Sequence, residues 1–150
     1  MDLKQYLKIQ EGSVKNGNIH RPYRCPSGAL TIGYGHNLDA NGISEGVADL
    51  LLDQDLGACR QSARRLVSNF DELNEVRQCV ILSLIFQLGE GGFSQFQKAR
   101  AHVERGSFRL AAAELTDSKW YRDQKRWANG KWTRADRECE MMRTGEWVSR

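Results

Sequence analysis

Cys25, Thr31 and His36 place a thiol, a hydroxyl and an imidazole within twelve residues of one another, and Glu11 supplies a carboxylate upstream. Together these groups offer a proton donor, a thiol able to ionise and hydrogen-bonding partners for a reacting water. Asp2 to Glu11 sets Leu3, Tyr6, Leu7 and Gln10 on one face, with an aspartate at the start where a helix wants one and Gly12 to end it. Glu11 therefore falls at the negative end of a helix, where a carboxylate is disfavoured. Read alone, it is a surface helix-end carboxylate; beside a hairpin, its readiness to hold a proton becomes useful. Pro26-Ser27-Gly28 is a turn signal between short segments with β-branched and aromatic residues, which predicts a hairpin from Tyr23 to His36.

Downstream the chain reads as helices. Ser44-Glu45 opens one on Val47, Leu50, Leu51, Gln54, Ala58 and Cys59, running on to Arg65. Asp71 is expected to cap the next, whose residues from Val76 to Phe86 are apolar on most sides and which should end at Leu88-Gly89. Gly91-Gly92 is expected to break the path, Gly106-Ser107 to separate two further helices, and Asn129-Gly130 to turn the chain before a last one. No repeat or linker interrupts 150 residues, so residues 1–150 are expected to form a single α+β domain.

Composition narrows the class. No apolar run reaches the length of a membrane span, and the first residues lack a secretory pattern, so the chain is expected to begin in a cytoplasm with its four cysteines reduced. Cys59, Cys79 and Cys139 fall in helix patterns as small core residues, and no CxxC pair suggests zinc. A net charge of +3 is modest, but Lys119, Arg122, Lys125, Arg126, Lys131 and Arg134 cluster with Trp120, Trp127 and Trp132. That is either a solvated face or an attraction to an anionic polymer, nucleic acid and murein alike. Gly33-Tyr34-Gly35 carries no nucleotide-binding information without a third glycine and a βαβ pattern.

Glu11-Gly12, then Tyr23-Arg24, Gly28 and Thr31-Ile32-Gly33-Tyr34-Gly35-His36, resembles the active-site signature of the T-even phage lysozymes, glycoside hydrolase family 24. Phe86-Gln87-Leu88-Gly89-Glu90, Lys119-Trp120-Tyr121, Arg134-Ala135 and Arg143-Thr144-Gly145-Glu146-Trp147 extend the likeness in the family's order. Two departures stand out: a longer stretch between Glu11 and Cys25, read as a loop over Lys15 to Arg21, and a shortened stretch between His36 and Gly42.

The resemblance implies a small N-terminal β-hairpin lobe joined by a long helix to a mainly α-helical C-terminal lobe. It implies hydrolysis of peptidoglycan at the bond between N-acetylmuramic acid and N-acetylglucosamine, as in a phage endolysin. By it Glu11 is the general acid, Cys25 stands where many members carry aspartate, and Thr31 helps hold the water, with inversion at the anomeric carbon. Phe86 and Gln87 match residues lining the sugar cleft, and Asn37 is a weaker match there. His36 and Asp55 match a bracing pair, and Arg134 an arginine that contacts the glutamate. Arg24 is expected to favour the Cys25 thiolate. No metal or cofactor is implied, nor any nucleic-acid partner or stable membrane insertion. A monomer is expected, held in the host cytoplasm until a holin opens the way to the wall. The alternatives are a lytic transglycosylase, in which the sugar's own 6-hydroxyl attacks, and a wall-binding module that has lost catalysis.

Overall fold

The computed structural model describes residues 1–126 and 128–149. The chain forms two compact units, Met1–Leu51 and Leu52–Arg150. The first begins with α1 (Leu3–Glu11), capped by a reciprocal box in which Asp2 accepts from the Gln5 amide and Gln5 accepts from the Asp2 amide. Gly12, at φ 60°, ends the helix as its sequence suggests. Two small antiparallel sheets follow. β1 (Lys15–Asn16) pairs with β2 (Ile19–His20), so the stretch expected as a loop is itself a tight hairpin. Gly17, at φ 58° in its turn, allows the reversal.

The second sheet carries β3 (Tyr23–Arg24), β4 (Leu30–Ile32) and β5 (His36–Asn37) in the order β3-β4-β5. Thr31 lies at its centre, opposite Tyr23 on one side and Asn37 on the other. The shortened stretch beyond is α2 (Leu38–Asn41), whose Asp39 accepts from the Leu30 amide at 2.7 Å and so anchors β4. Then α3 (Glu45–Leu66) begins, and its residues from Leu52 onward belong to the second unit.

The second unit holds α4 (Glu75–Ser94), α5 (Gln97–Glu104), α6 (Phe108–Thr116), α7 (Lys119–Lys125) and α8 (Arg134–Thr144). The α+β expectation is met. All the buried apolar side chains among the described residues lie here, including Ala63, Val67, Val80, Ile81, Leu84, Ala111, Leu115 and Met142. α4 is the most apolar helix, as a central element must be. Among the described residues no single helix is long and apolar enough to cross a membrane.

Two boundaries differ from the expected ones. Asn74, not Asp71, caps α4 by accepting from the Arg77 amide at 3.1 Å. Asp71 sits instead in a 3-10 turn over Phe70–Glu72 and pairs with Arg64 at 2.8 Å. Gly89, at φ 71° and ψ 170°, does interrupt α4, but the chain then resumes helical winding to Ser94. Gly91-Gly92 therefore lies within a helical turn. A Cβ on Gly92 would come within 2.8 Å of Leu88 Cβ, so the glycine permits the close return of the chain on itself.

Candidate active site

The first unit brings Glu11, Cys25 and Thr31 onto neighbouring elements. Glu11 is exposed at the end of α1, and its Oε2 faces the turn between β4 and β5. A Cβ on Gly35 would stand 3.4 Å from that oxygen, and Gly35 itself has φ 87°. Both the backbone conformation and the carboxylate beside it therefore favour glycine at this position.

Cys25 follows β3 at the start of the turn that the proline and glycine of 25–28 predict. The Gly28 amide donates to the Cys25 carbonyl at 2.8 Å, and the Cys25 amide donates to Ala29 at 3.0 Å. Its thiol is half-buried, and Sγ lies 3.0 Å from Ser27 Oγ. Hydrogen bonds from the Ser27 side chain and backbone pull the thiol down from 9.0 to about 7, with smaller help from the Thr31 hydroxyl and the Ala29 backbone. The thiolate is thus more accessible near neutral pH than that of an ordinary cysteine. Arg24 has a different task from the one its charge suggests: its guanidinium donates to the Gly28 carbonyl at 2.8 Å and fastens the turn. Ser27 is the residue that sequence reasoning overlooked. The signal was its position two residues after the thiol inside a tight turn.

Thr31 is buried at 4% exposure and its hydroxyl donates to the Ala29 carbonyl at 3.1 Å. Asn37 is its ladder neighbour, and the Asn37 side chain accepts from the Ala40 amide at 2.9 Å, capping α2. His36 Nε2 meets the Gly42 carbonyl at 2.6 Å, bracing the turn after α2. His20 Nδ1 is buried and meets no hydrogen-bonding group among the described residues.

The second unit holds the remaining candidates. Phe86 is 47% exposed, so it is not a core aromatic. It lines a groove of about 430 Å³ with Leu52, Leu56, Leu82, Ser83, Arg134 and Trp147. Asp55, exposed on α3, lines a second hollow with Phe86 and Glu90. Gln87 turns to the protein: its carbonyl accepts from Trp120 Nε1 at 3.4 Å and from Gln124 at 3.3 Å, while its amide donates to the Ser83 carbonyl at 3.1 Å.

Glu138 is a carboxylate that sequence reasoning missed. It is 5% exposed and accepts from Arg134 Nε at 2.6 Å and from the Ser83 hydroxyl, which itself accepts from Arg134 Nη2. A buried carboxylate needs such partners, and Ser83, on a different helix, supplies one. The expected basic cluster is largely neutralised. Lys119 pairs with Asp123, Arg122 with Asp117, Lys125 with Asp136 and Arg134 with Glu138. Trp120 is buried, Trp132 is exposed, and Trp127 lies outside the described residues. All four cysteines are free thiols; Cys59 and Cys139 are buried, and Cys79 is half-buried. Among the described residues no group of three or more His, Cys, Asp or Glu side chains is placed to hold a metal ion.

Glu11, at a helix end, thus adjoins a hairpin that carries an acidified thiol and a buried hydroxyl. The chain matches the Phage lysozyme family over residues 14–138, and it belongs to that family. The match spans Cys25, Thr31, Phe86, Gln87 and Arg134 and begins just after Glu11.

Proposed function

We propose that this protein is an endolysin that hydrolyses the β-1,4 bond between N-acetylmuramic acid and N-acetylglucosamine in peptidoglycan, with residues 1–150 acting as one catalytic domain. The observation that carries the reading is the Cys25 thiol, hydrogen-bonded by Ser27 at 3.0 Å and thereby acidified, on the hairpin beside Glu11. Glu11 donates its proton to the leaving oxygen. The Cys25 thiolate takes the part of a second carboxylate, accepting the proton of a water that Thr31 helps to orient as this water attacks the anomeric carbon from the opposite face and the bond to the leaving oxygen breaks. Inversion follows from a single displacement. Phe86 offers an apolar face to the sugar, Asn37 the amide nitrogen that the cap of α2 does not use, and Gln87 its amide in exchange for the bonds to Trp120 and Gln124, while Arg134, His36 and Asp55 support the groups around them.

None of these steps calls for a cofactor. The protein acts as a monomer on the wall and reaches it from the host cytoplasm once a holin has breached the membrane.

The experiment is mass spectrometry of the products released from purified peptidoglycan by the wild type and by Glu11→Gln. Reducing-end muropeptides from the wild type, with a loss of about 100-fold or more in the variant, are expected. Anhydro ends would mean attack by the sugar's 6-hydroxyl and remove Cys25 as a water activator. Binding to the wall without any soluble product would leave a binding module.

A further inference from the structure

Tyr34, next to Gly35 in the turn between β4 and β5, gathers two cations that form no ion pair with a carboxylate among the described residues. Lys8 Nζ lies 5.2 Å from its ring centroid and Lys15 Nζ 5.4 Å, and Lys15 also donates to the phenol oxygen at 3.3 Å. His20 meets the same ring edge-on at 5.1 Å and fixes its plane. Both lysines are exposed, and among the described residues neither forms an ion pair. The Tyr34 oxygen accepts from Lys15, which leaves its own hydrogen free to donate, and no acceptor within the protein takes it among the described residues. The result is a donor-only cluster of two ammonium groups and a phenol. Attraction to the ring offsets part of the repulsion between the two cations, but an anion would offset far more.

The cluster has a fixed relation to Glu11. Lys8 precedes Glu11 by three residues on α1, so the two side chains share a face. Gly35, bonded to Tyr34, abuts the Glu11 carboxylate. We propose that Lys8, Lys15 and Tyr34 form a carboxylate-binding subsite beside Glu11 that recognises the acidic groups of the peptidoglycan substrate. This rests on the muramidase reading and adds to it: the enzyme selects an anionic glycan over a neutral one. A carboxylate bound there accepts from the Lys15 ammonium and the phenol, which stand 3.3 Å apart, and is drawn by the charge of Lys8 on the same ring. It thereby holds a muramic acid unit in register with the acid.

The test compares intact peptidoglycan with peptidoglycan whose carboxylates have been amidated, using wild type, Lys8→Gln/Lys15→Gln and Tyr34→Phe, with both turnover and co-sedimentation measured. For intact material the double variant is expected to raise KM by roughly fivefold to tenfold with kcat little changed, and Tyr34→Phe by roughly twofold to threefold. On amidated material the wild type falls to the level of the double variant, and the difference on intact material narrows as salt is raised. Wild-type KM and binding that ignore amidation would overturn the subsite. In intact material the lactyl carboxyl is tied up in the amide to the stem, so the carboxylate recognised there is one of the peptide's. On strands stripped of peptide, which expose the lactyl group, a preference that survives shows that the subsite accepts that carboxylate too, and one that is lost confines it to the peptide stem. A protein that binds but never turns over fails the muramidase reading, while co-sedimentation still decides the subsite.

Discussion

Cys25 is acidified by a neighbour that carries no charge. The Ser27 side chain and backbone stabilise the thiolate by hydrogen bonding, and Arg24, adjacent in sequence, serves the turn instead. If the thiolate is the working form, activity rises through about pH 7 as Cys25 ionises. Ser27→Ala removes the largest cause of the lowered value, so the acid limb of the pH–rate profile moves upward toward that of an ordinary thiol. Cys25→Asp ionises well below neutrality and moves the limb the other way while keeping activity; Cys25→Ser is expected to lose about 100-fold. Equal activity of the Asp and Ser variants would remove Cys25 from the chemistry. At this scale the thiol, the hydroxyl and their spacing were legible in the chain. The source of the acidity was not, because a serine in a turn reads first as a turn former.

The elements were legible wherever a cap, a breaker and a period agree. Asp2 and Gly12 bracket α1, Pro26 to Gly28 turns β3 into β4, and Ser44-Glu45 precedes the long α3. The misplaced boundary at Asp71 has a local cause. Residues 70–72 wind one 3-10 turn that Asp71 serves by pairing with Arg64, and the extended Asn74 then begins α4. The hairpin of β1 and β2 escaped notice because two-residue strands are too short to show alternation. Asn74 has a second role: its amide donates to the Gly145 carbonyl at 2.8 Å, joining the start of α4 to the end of α8. Asn74→Ala is therefore expected to cost about 1–2 kcal/mol in chemical denaturation, a cap and a tertiary hydrogen bond together. A change under about 0.3 kcal/mol would show that neither bond persists in solution.

At the scale of the whole chain, the α+β class and its family were legible, whereas the long-range ionic partners were not. Glu90 and Glu138 find partners 25 and 55 residues away, Arg65 and Ser83, which no local pattern announces. Glu90 makes stability depend on pH. Hydrogen bonds from Arg65 and Ser62 hold Glu90 down from 4.5 to about 2. Asp136, hydrogen-bonded by Tyr121, Thr133 and Lys125, is likewise held below the usual carboxylate range despite its burial. A depressed carboxylate contributes stability above its unfolded value and loses it as the proton binds in the fold. The urea midpoint is thus expected to hold steady down to about pH 5 and to fall steadily toward about pH 2. Glu90→Gln should flatten that decline, and a decline as steep as the wild type's would assign it to other carboxylates.

The indole of Trp120, buried and donating to Gln87, ties a native fluorophore to one of the amides proposed for the sugar. An occupant that drew the Gln87 carbonyl away would change the polarity felt by that ring. With the other three tryptophans replaced by phenylalanine, the emission of Trp120 would report occupancy of the cleft in real time, without label and without turnover.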